Sequence, residues 1–464
     1  MLSLIKRSIE QLHVKATLRI ALPSFVSIPL TLVAVALCLS TIGLADYGIF
    51  LLTILILNQS HILLFGSEKN LIRHIISPVL STPSTMHVSI IAICFGGMIS
   101  GIMAVLLIGG AAPPFAETHK TPILLMLLGI PIQFLWSVQR SAIQAHDRLS
   151  LLGTTSLVYM SASHYAPLFI VLLFPSIAGI SEFLLGTIIA RTAVCIGLFI
   201  FEPTVRSNEP VFSLKATLQL VTYGKWMGAN QTIQMLFDSA DRYILGIIAS
   251  PAAVALYAVP LQVTQKLAVL PVAMSQVVFN HSVTINKSKS EQTFYGLLLL
   301  APLIAPLFLC VSELFFTKWL GNNYKPIITD LAMILSVAII FTSLNFIASS
   351  MIEGSGMAQT LAQIDGAALL PLLGLIAFMT IQFGPIGTAF AVLFKDIIFF
   401  IIRVAMLRLS SNTIITSILC CIFLAIALAI ALQIHTPWKM LGLQAPLYAA
   451  WSGLLLSKII WKSS

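Results

Sequence analysis

The sequence predicts an all-α membrane protein with about fourteen transmembrane helices, and three observations carry that prediction. Hydrophobic residues make up 58% of the 464-residue chain and charged residues only 9%, a balance outside the range of soluble globular proteins. Apolar stretches follow one another almost without pause, each near the roughly twenty residues that cross about 30 Å of hydrocarbon. Weak internal likenesses recur at a nearly constant offset of roughly 210 residues. That offset groups the stretches into two sets of six and a final pair.

In chain order, the first set covers Ala21–Leu39, Tyr47–Phe65, Val88–Leu107, Thr121–Val138, Leu152–Leu173 and Phe183–Phe201. These spans form an amino-terminal lobe, residues 1–208. The stretch from Ala21 is too long for a cleaved signal peptide, contains Pro23 and Pro29, and runs straight into further spans. The second set covers Tyr223–Ile248, Ala253–Phe279, Phe294–Leu314, Ile328–Ile352, Ala362–Ile381 and Ile386–Leu407, a second lobe of residues 209–409. Ile414–Leu432 and Pro446–Ile460 make a two-helix tail, residues 410–464. The likenesses that pair the lobes are Gly43 to Gly48 with Val254 to Ala258, Ser141 to Ala145 with Ser350 to Gly354, and Gly179 to Ser181 with Gly387 to Ala389.

Charge sets the orientation. With a cytoplasmic amino terminus, the inner side carries Lys6, Arg7, Arg140, Arg148, Arg206, Lys289, Arg403, Arg408 and others, and the outer side only Lys120, Lys318, Lys325 and Lys439. This is the bias of the positive-inside rule, and it requires an even span count with both termini cytoplasmic. Topology therefore accounts for most of the net charge of +9, and no nucleic-acid partner is expected. The six cysteines lie in apolar runs without pairing or metal-ligand spacing. No phosphate loop, metal cluster or nucleophile constellation is present in the sequence, and the longest loops hold only about twenty residues. The expectation is a protein that is not an enzyme, with no catalytic residues, metal or cofactor.

One stretch is distinctive. Tyr223-Gly224-Lys225-Trp226, Asp241 to Gly246 and Leu256-Tyr257, together with Gly43 to Gly48, Trp319-Leu320-Gly321 and Gly384 to Gly387, form a pattern that resembles the Wzx-type oligosaccharide flippases. These belong to the polysaccharide-transport family, relatives of the multidrug and toxin extrusion transporters in the MOP superfamily. The resemblance covers nearly the whole chain. It implies a V-shaped pair of six-helix bundles around a central cavity in a bacterial inner membrane. It further implies flipping of undecaprenyl-diphosphate-linked oligosaccharide repeat units for O-antigen, capsule or exopolysaccharide assembly. The implied partners are that lipid-linked oligosaccharide, membrane lipids, and a polysaccharide polymerase with its chain-length regulator.

Charges within spans cost about 2.5–3.5 kcal/mol each at a helix centre, so they face a cavity or a partner. In the seventh span Asn230, Gln234, Asp238 and Asp241/Arg242 share one helical face. Two readings stand: a hydrogen-bonding wall for sugar hydroxyls with Arg242 facing an anion, or a structural Asp238–Arg242 pair at i,i+4. Asp241 and Arg242, as sequence neighbours, are expected to point apart. Arg19 either captures a diphosphate at the cytoplasmic mouth or snorkels to the headgroups. Lys266, one turn after Gln262, is a candidate anion contact, whereas Lys225 snorkels. Lys395 is a further candidate for the substrate cavity, and Lys395-Asp396 in the twelfth span can mutually compensate with neighbouring helices. Asp365 has no cation at helical spacing, so it is neutral, paired with another helix, or a proton-coupling site; Asp396 is the second coupling candidate. Arg191 is open. Asn58, Gln59, His61, Tyr159, Ser163 and His164 add polarity to the first lobe, with the histidines expected to bond between helices. The competing function is an ion-coupled exporter of drugs or another lipid on the same fold. A cationic-drug site is net acidic, whereas the mixed charges here suit a diphosphate carrying a neutral or weakly acidic glycan.

Overall fold

The computed structural model describes residues 14–64, 71, 85–109, 119–146, 148–205, 225–283, 287–407, 409, 411–433 and 451, and the described elements are helices. In the first half these are α1 (Val14–Gln59), α2 (Thr85–Ile108), α3 (Lys120–Ala145), α4 (Leu149–Leu173) and α5 (Ile180–Phe201). The second half holds α6 (Lys225–Ile248), α7 (Pro251–Thr264), α8 (Val269–Val283), α9 (Lys287–Leu320), α10 (Pro326–Gly354) and α11 (Ala358–Leu407). The last is α12 (Ser411–Gln433). Among the described residues, eight helices are long and apolar enough to cross a membrane. The expected fourteenth span lies outside the described residues, apart from Trp451.

The first two expected spans join as α1, and the eleventh and twelfth as α11. At 1.5 Å per residue, the 46 residues of α1 and 50 of α11 exceed the thickness of a bilayer about twofold. Each is broken at a glycine in the left-handed half of dihedral space, Gly43 (φ 80°) and Gly384 (φ 58°). A β-carbon disfavours that conformation. The eighth expected span is not one regular helix either. Between α7 and α8 the chain tightens into a 3₁₀ turn, Gln265–Ala268, just ahead of Pro271, whose ring cannot donate back to the preceding turn. Lys266 stands on that turn.

Buried apolar side chains hold the halves together. In the first half α1 packs on α4, α2 on α3, and α5 on both α3 and α4. In the second, α10 is the axis: its most apolar stretch is 89% buried, and α7, α8, α9, α11 and α12 pack round it. The contact between halves runs mainly through α1 against α7 and α8. It is tight where Gly48 meets the first residue of α7: a β-carbon on Gly48 would sit 1.9 Å from the Pro251 carbonyl oxygen. Ser250 caps α7, its hydroxyl accepting from the Ala253 amide at 3.1 Å. The two corners related by the sequence offset thus pack on each other, with Tyr47 and Tyr257 both buried beside them. Trp319 adds a second tie, its indole donating to the Leu32 carbonyl at 3.0 Å. The outer surface is apolar, as lipid requires: Val105, Phe201, Ile247 and Leu370 are 70–84% exposed. The cysteines described are free thiols, and Cys94 lies on that surface rather than in the interior.

Candidate functional site

A polar cavity of about 180 Å³ opens between α6, α8, α10 and α11. Gln234 and Asp238 from α6 form one wall. Thr342, Asn345, Ser349, Ser350 and Glu353 from α10 form the facing wall, and Lys395, Asp396 and Arg403 from α11 close it, with Phe237, Phe346 and Phe399 between the polar groups. The α10 wall repeats every three or four residues, so one helical face supplies it.

Two buried ion pairs sit at the back. Arg403 Nη2 donates to Asp365 Oδ2 at 3.1 Å, with side chains 3% and 1% exposed. Gln234 donates to the same oxygen, so Asp365 is paired across helices. Lys395 Nζ lies 3.3 Å from Asp396 Oδ1, as the sequence suggested, and also donates to the Phe237 carbonyl at 3.4 Å. Thr342 donates to Asp396 Oδ2 at 2.5 Å, and Asn345 Nδ2 donates to the Asp396 carbonyl at 2.9 Å. Asp238 is exposed on the wall, within electrostatic reach of Lys395.

Arg242 departs from expectation. It reaches the backbone carbonyl of Asp238, not its carboxylate, and its ion pair is with adjacent Asp241 at 3.4 Å. Helical side chains lean towards the amino terminus, so Arg242 folds back over Asp241 instead of pointing away from it. The other Asp241 oxygen accepts from the Tyr257 hydroxyl at 2.7 Å. Neither residue lines the cavity. Arg403 is a second correction. Counted among the cytoplasmic topology charges, it is buried against Asp365, because the break in α11 at Gly384 brings its two arms together. The sequence reading missed Thr342, Asn345, Ser349 and Glu353, although their spacing of three, four and four was the same signal as in the seventh span. The side chains of Arg19 and Asn230 lie outside the described residues.

Lys266 occupies a different place. With Gln262, Ile28, Thr31, Leu32 and Phe315, it lines a mostly apolar cavity of about 260 Å³ between α1, α7 and α9. It makes no ion pair among the described residues. His164 lies within electrostatic reach of both Lys266 and Arg191. Arg191 is 1% exposed; it donates to Asn58 Oδ1 at 2.8 Å and covers the Tyr159 ring at 4.9 Å. Tyr159 stacks on Trp136 at 4.4 Å and donates to Gln133 at 2.8 Å. Among the described residues His61 does not bond between helices: its Nδ1 meets the Asn58 carbonyl in its own turn at 2.8 Å. Among the described residues, Lys266 and Arg191, cations without a carboxylate ion pair, therefore lie near α1 and α5, whereas the ion-paired carboxylates Asp241, Asp365 and Asp396 lie in the second half. Among the described residues no cluster of metal-ligating side chains forms.

Comparison with known proteins agrees with this architecture. The profile of the family described as "Polysaccharide biosynthesis protein" matches residues 41–327. A Shigella flexneri protein described as "Putative O-antigen transporter" is 24% identical over 408 residues, 84% of this chain and 94% of that protein. Among solved structures, lipid II flippase MurJ in an inward closed conformation superposes with a TM-score of 0.69 at 14% identity, over 95% of this chain and 99% of that one. An outward-facing MATE-family multidrug resistance transporter of the MOP superfamily gives 0.62 at 14% identity, over 91% and 98%.

Proposed function

The chain belongs to the polysaccharide biosynthesis protein family, and from that premise we propose that it flips undecaprenyl-diphosphate-linked oligosaccharide repeat units across the bacterial inner membrane. The observation that carries the reading is the hydroxyl-, amide- and charge-lined cavity within membrane-length helices. Burying such groups in hydrocarbon is costly without a polar occupant. The similarity to an O-antigen transporter and the fold shared with a lipid II flippase support the same class. In this proposal fourteen helices form two six-helix lobes, residues 1–208 and 209–409, and a two-helix tail, with both termini cytoplasmic. The lobes rock about the α1–α7 contact to give alternating access. Lys266, facing a cavity partly walled by α1, meets the diphosphate. Lys395 and Arg242 are held by carboxylates and stay with the protein. Asp365 and Asp396 as coupling sites require Arg403 or Lys395 to give way first. A polymerase and a chain-length regulator act on the delivered unit.

Deleting the gene is expected to trap lipid-linked repeat units on the cytoplasmic leaflet, with restoration by the wild-type chain. Delivery to the periplasm at the normal rate in the deletion strain overturns the proposal. One observation favours a second reading. The cavity is richer in carboxylates than in cations, as an ion-coupled exporter of cationic drugs requires. That reading predicts hypersensitivity to cationic drugs in the deletion strain, with repeat-unit delivery unchanged.

A further inference from the structure

We propose that the hydrogen bond from Tyr243 to Gln59 is a latch between the two halves of the molecule: it holds the arrangement described here and breaks when the halves rock into the other one. The inference rests on the alternating-access reading and adds a contact that sets the balance between its two states. Tyr243, on α6, donates its hydroxyl to Gln59 Oε1, on the part of α1 that follows Gly43, at 2.7 Å. Both side chains are partly buried.

Position gives the bond leverage. The halves meet tightly at Gly48 and Pro251, and the contact continues at Gly246, where a β-carbon would lie 3.0 Å from Leu52 Cδ1. Gln59 stands about three turns beyond Gly48 on the same helix, roughly 16 Å along its axis. Turning one half by about 10° about that corner shifts the bonded atoms by roughly 3 Å, beyond the reach of a hydrogen bond.

Each end of the bond is also firmly mounted. Beside Gln59, the Asn58 side chain accepts from Arg191 Nη2 at 2.8 Å, and the Asn58 carbonyl accepts from Gln133 Nε2 at 3.3 Å. Beside Tyr243, Arg242 is tied to Asp241 at 3.4 Å, and Asp241 accepts from the buried Tyr257 hydroxyl at 2.7 Å. Groups fixed in this way by their own half do not follow one another as the halves part. The bond is therefore made in one arrangement and absent in the other. A contact present in one state alone shifts the population towards that state by its own strength. For an interhelical hydrogen bond within a membrane, that shift is about three- to tenfold.

The test uses the full-length chain in phospholipid vesicles, with genetically encoded spin labels in place of His146 and Ser355, the exposed residues that cap α3 and α10. Pulsed electron paramagnetic resonance then reads the balance between two label distances, with and without added undecaprenyl diphosphate. Tyr243→Phe keeps the ring and removes the hydroxyl. It is expected to move that balance about three- to tenfold away from the arrangement described here. Gln59→Met is expected to do the same, and the double variant no more than either change alone. Ser100→Ala removes a buried bond within the first half, from the Ser100 hydroxyl to the Leu127 carbonyl at 2.8 Å, and is expected to leave the balance unmoved. Should Gln59→Met fail to accumulate, Tyr243→Phe compared with Ser100→Ala decides alone. A balance that neither latch variant moves, additive shifts in the double variant, or an equal shift from Ser100→Ala overturns the latch while leaving alternating access intact. A single distance in the wild-type chain, with and without undecaprenyl diphosphate, overturns alternating access itself, and this inference with it.

Discussion

Asp365 and Arg403 stand 38 residues apart in sequence and meet at 3.1 Å, both nearly inaccessible. No helical spacing connects them. The pairing exists because α11 is broken at Gly384, so that its two arms bring the residues together. Taking one partner away leaves the other charged and dry, which costs about 3–5 kcal/mol, whereas removing both costs less. Asp365→Asn is therefore expected to lower thermal stability in detergent strongly. Asp365→Asn/Arg403→Met is expected to lose markedly less than the sum of the single changes. Additive losses in that cycle would show that the pair is not coupled. Lys395 and Asp396, being adjacent, were legible as a compensating pair; Asp365 was legible only as a carboxylate in need of a partner.

At the scale of elements, the corners decide the packing. Gly48 leaves no room for a β-carbon against Pro251, so Gly48→Ala forces α1 and α7 apart. It is expected to reduce folded protein in the membrane severalfold by fluorescence-detected size exclusion. Gly97→Ala, where the space is open, is expected to change nothing; equal loss from both would refute the close approach. A second tie lies at the ends of α4 and α5. Glu202 accepts from Arg148 at 2.7 Å and from the Thr204 hydroxyl at 2.8 Å. Burial pushes the Glu202 carboxyl up, but the bonds from Thr204 and Arg148 outweigh it and hold it below the usual range. A depressed folded-state value stabilises above the unfolded value and is lost as pH falls through the folded one. Arg148 is half exposed, so the gain is small. Glu202→Gln is expected to lower the melting temperature by about a degree or two at pH 7, and by progressively less as the pH falls below the ordinary carboxylate range, in a pH series of unfolding scans. The polar stripe of α6 was legible from its period; that of α10 obeyed the same period but is built largely of serine, threonine and asparagine, which hydropathy hides.

For the whole molecule, the proposed flipping of a lipid-linked repeat unit turns on separate placement of opposite charges. Lys266, near α1, has no ion pair among the described residues, while the lysine and arginine of the α11 cavity are held by carboxylates. Lys266→Ala is expected to reduce repeat-unit export at least tenfold at unchanged protein level, with Lys266→Arg retaining most of it. Full export by the alanine variant would remove Lys266 from the diphosphate path. The sequence treated all intramembrane cations as one mixed population, because sign and depth can be read from a span but its rotation cannot.

By itself, the sequence determined that this is an all-helical membrane protein, that α6 is polar on one side, and its Wzx-type family, since hydropathy, period and local motifs are properties of contiguous residues. Tertiary structure alone decided which charges cancel, which atoms are left wanting a partner, and where the cavity opens. Those outcomes depend on how helices far apart in the chain turn towards one another, and a buried charge is free or spent only according to what faces it.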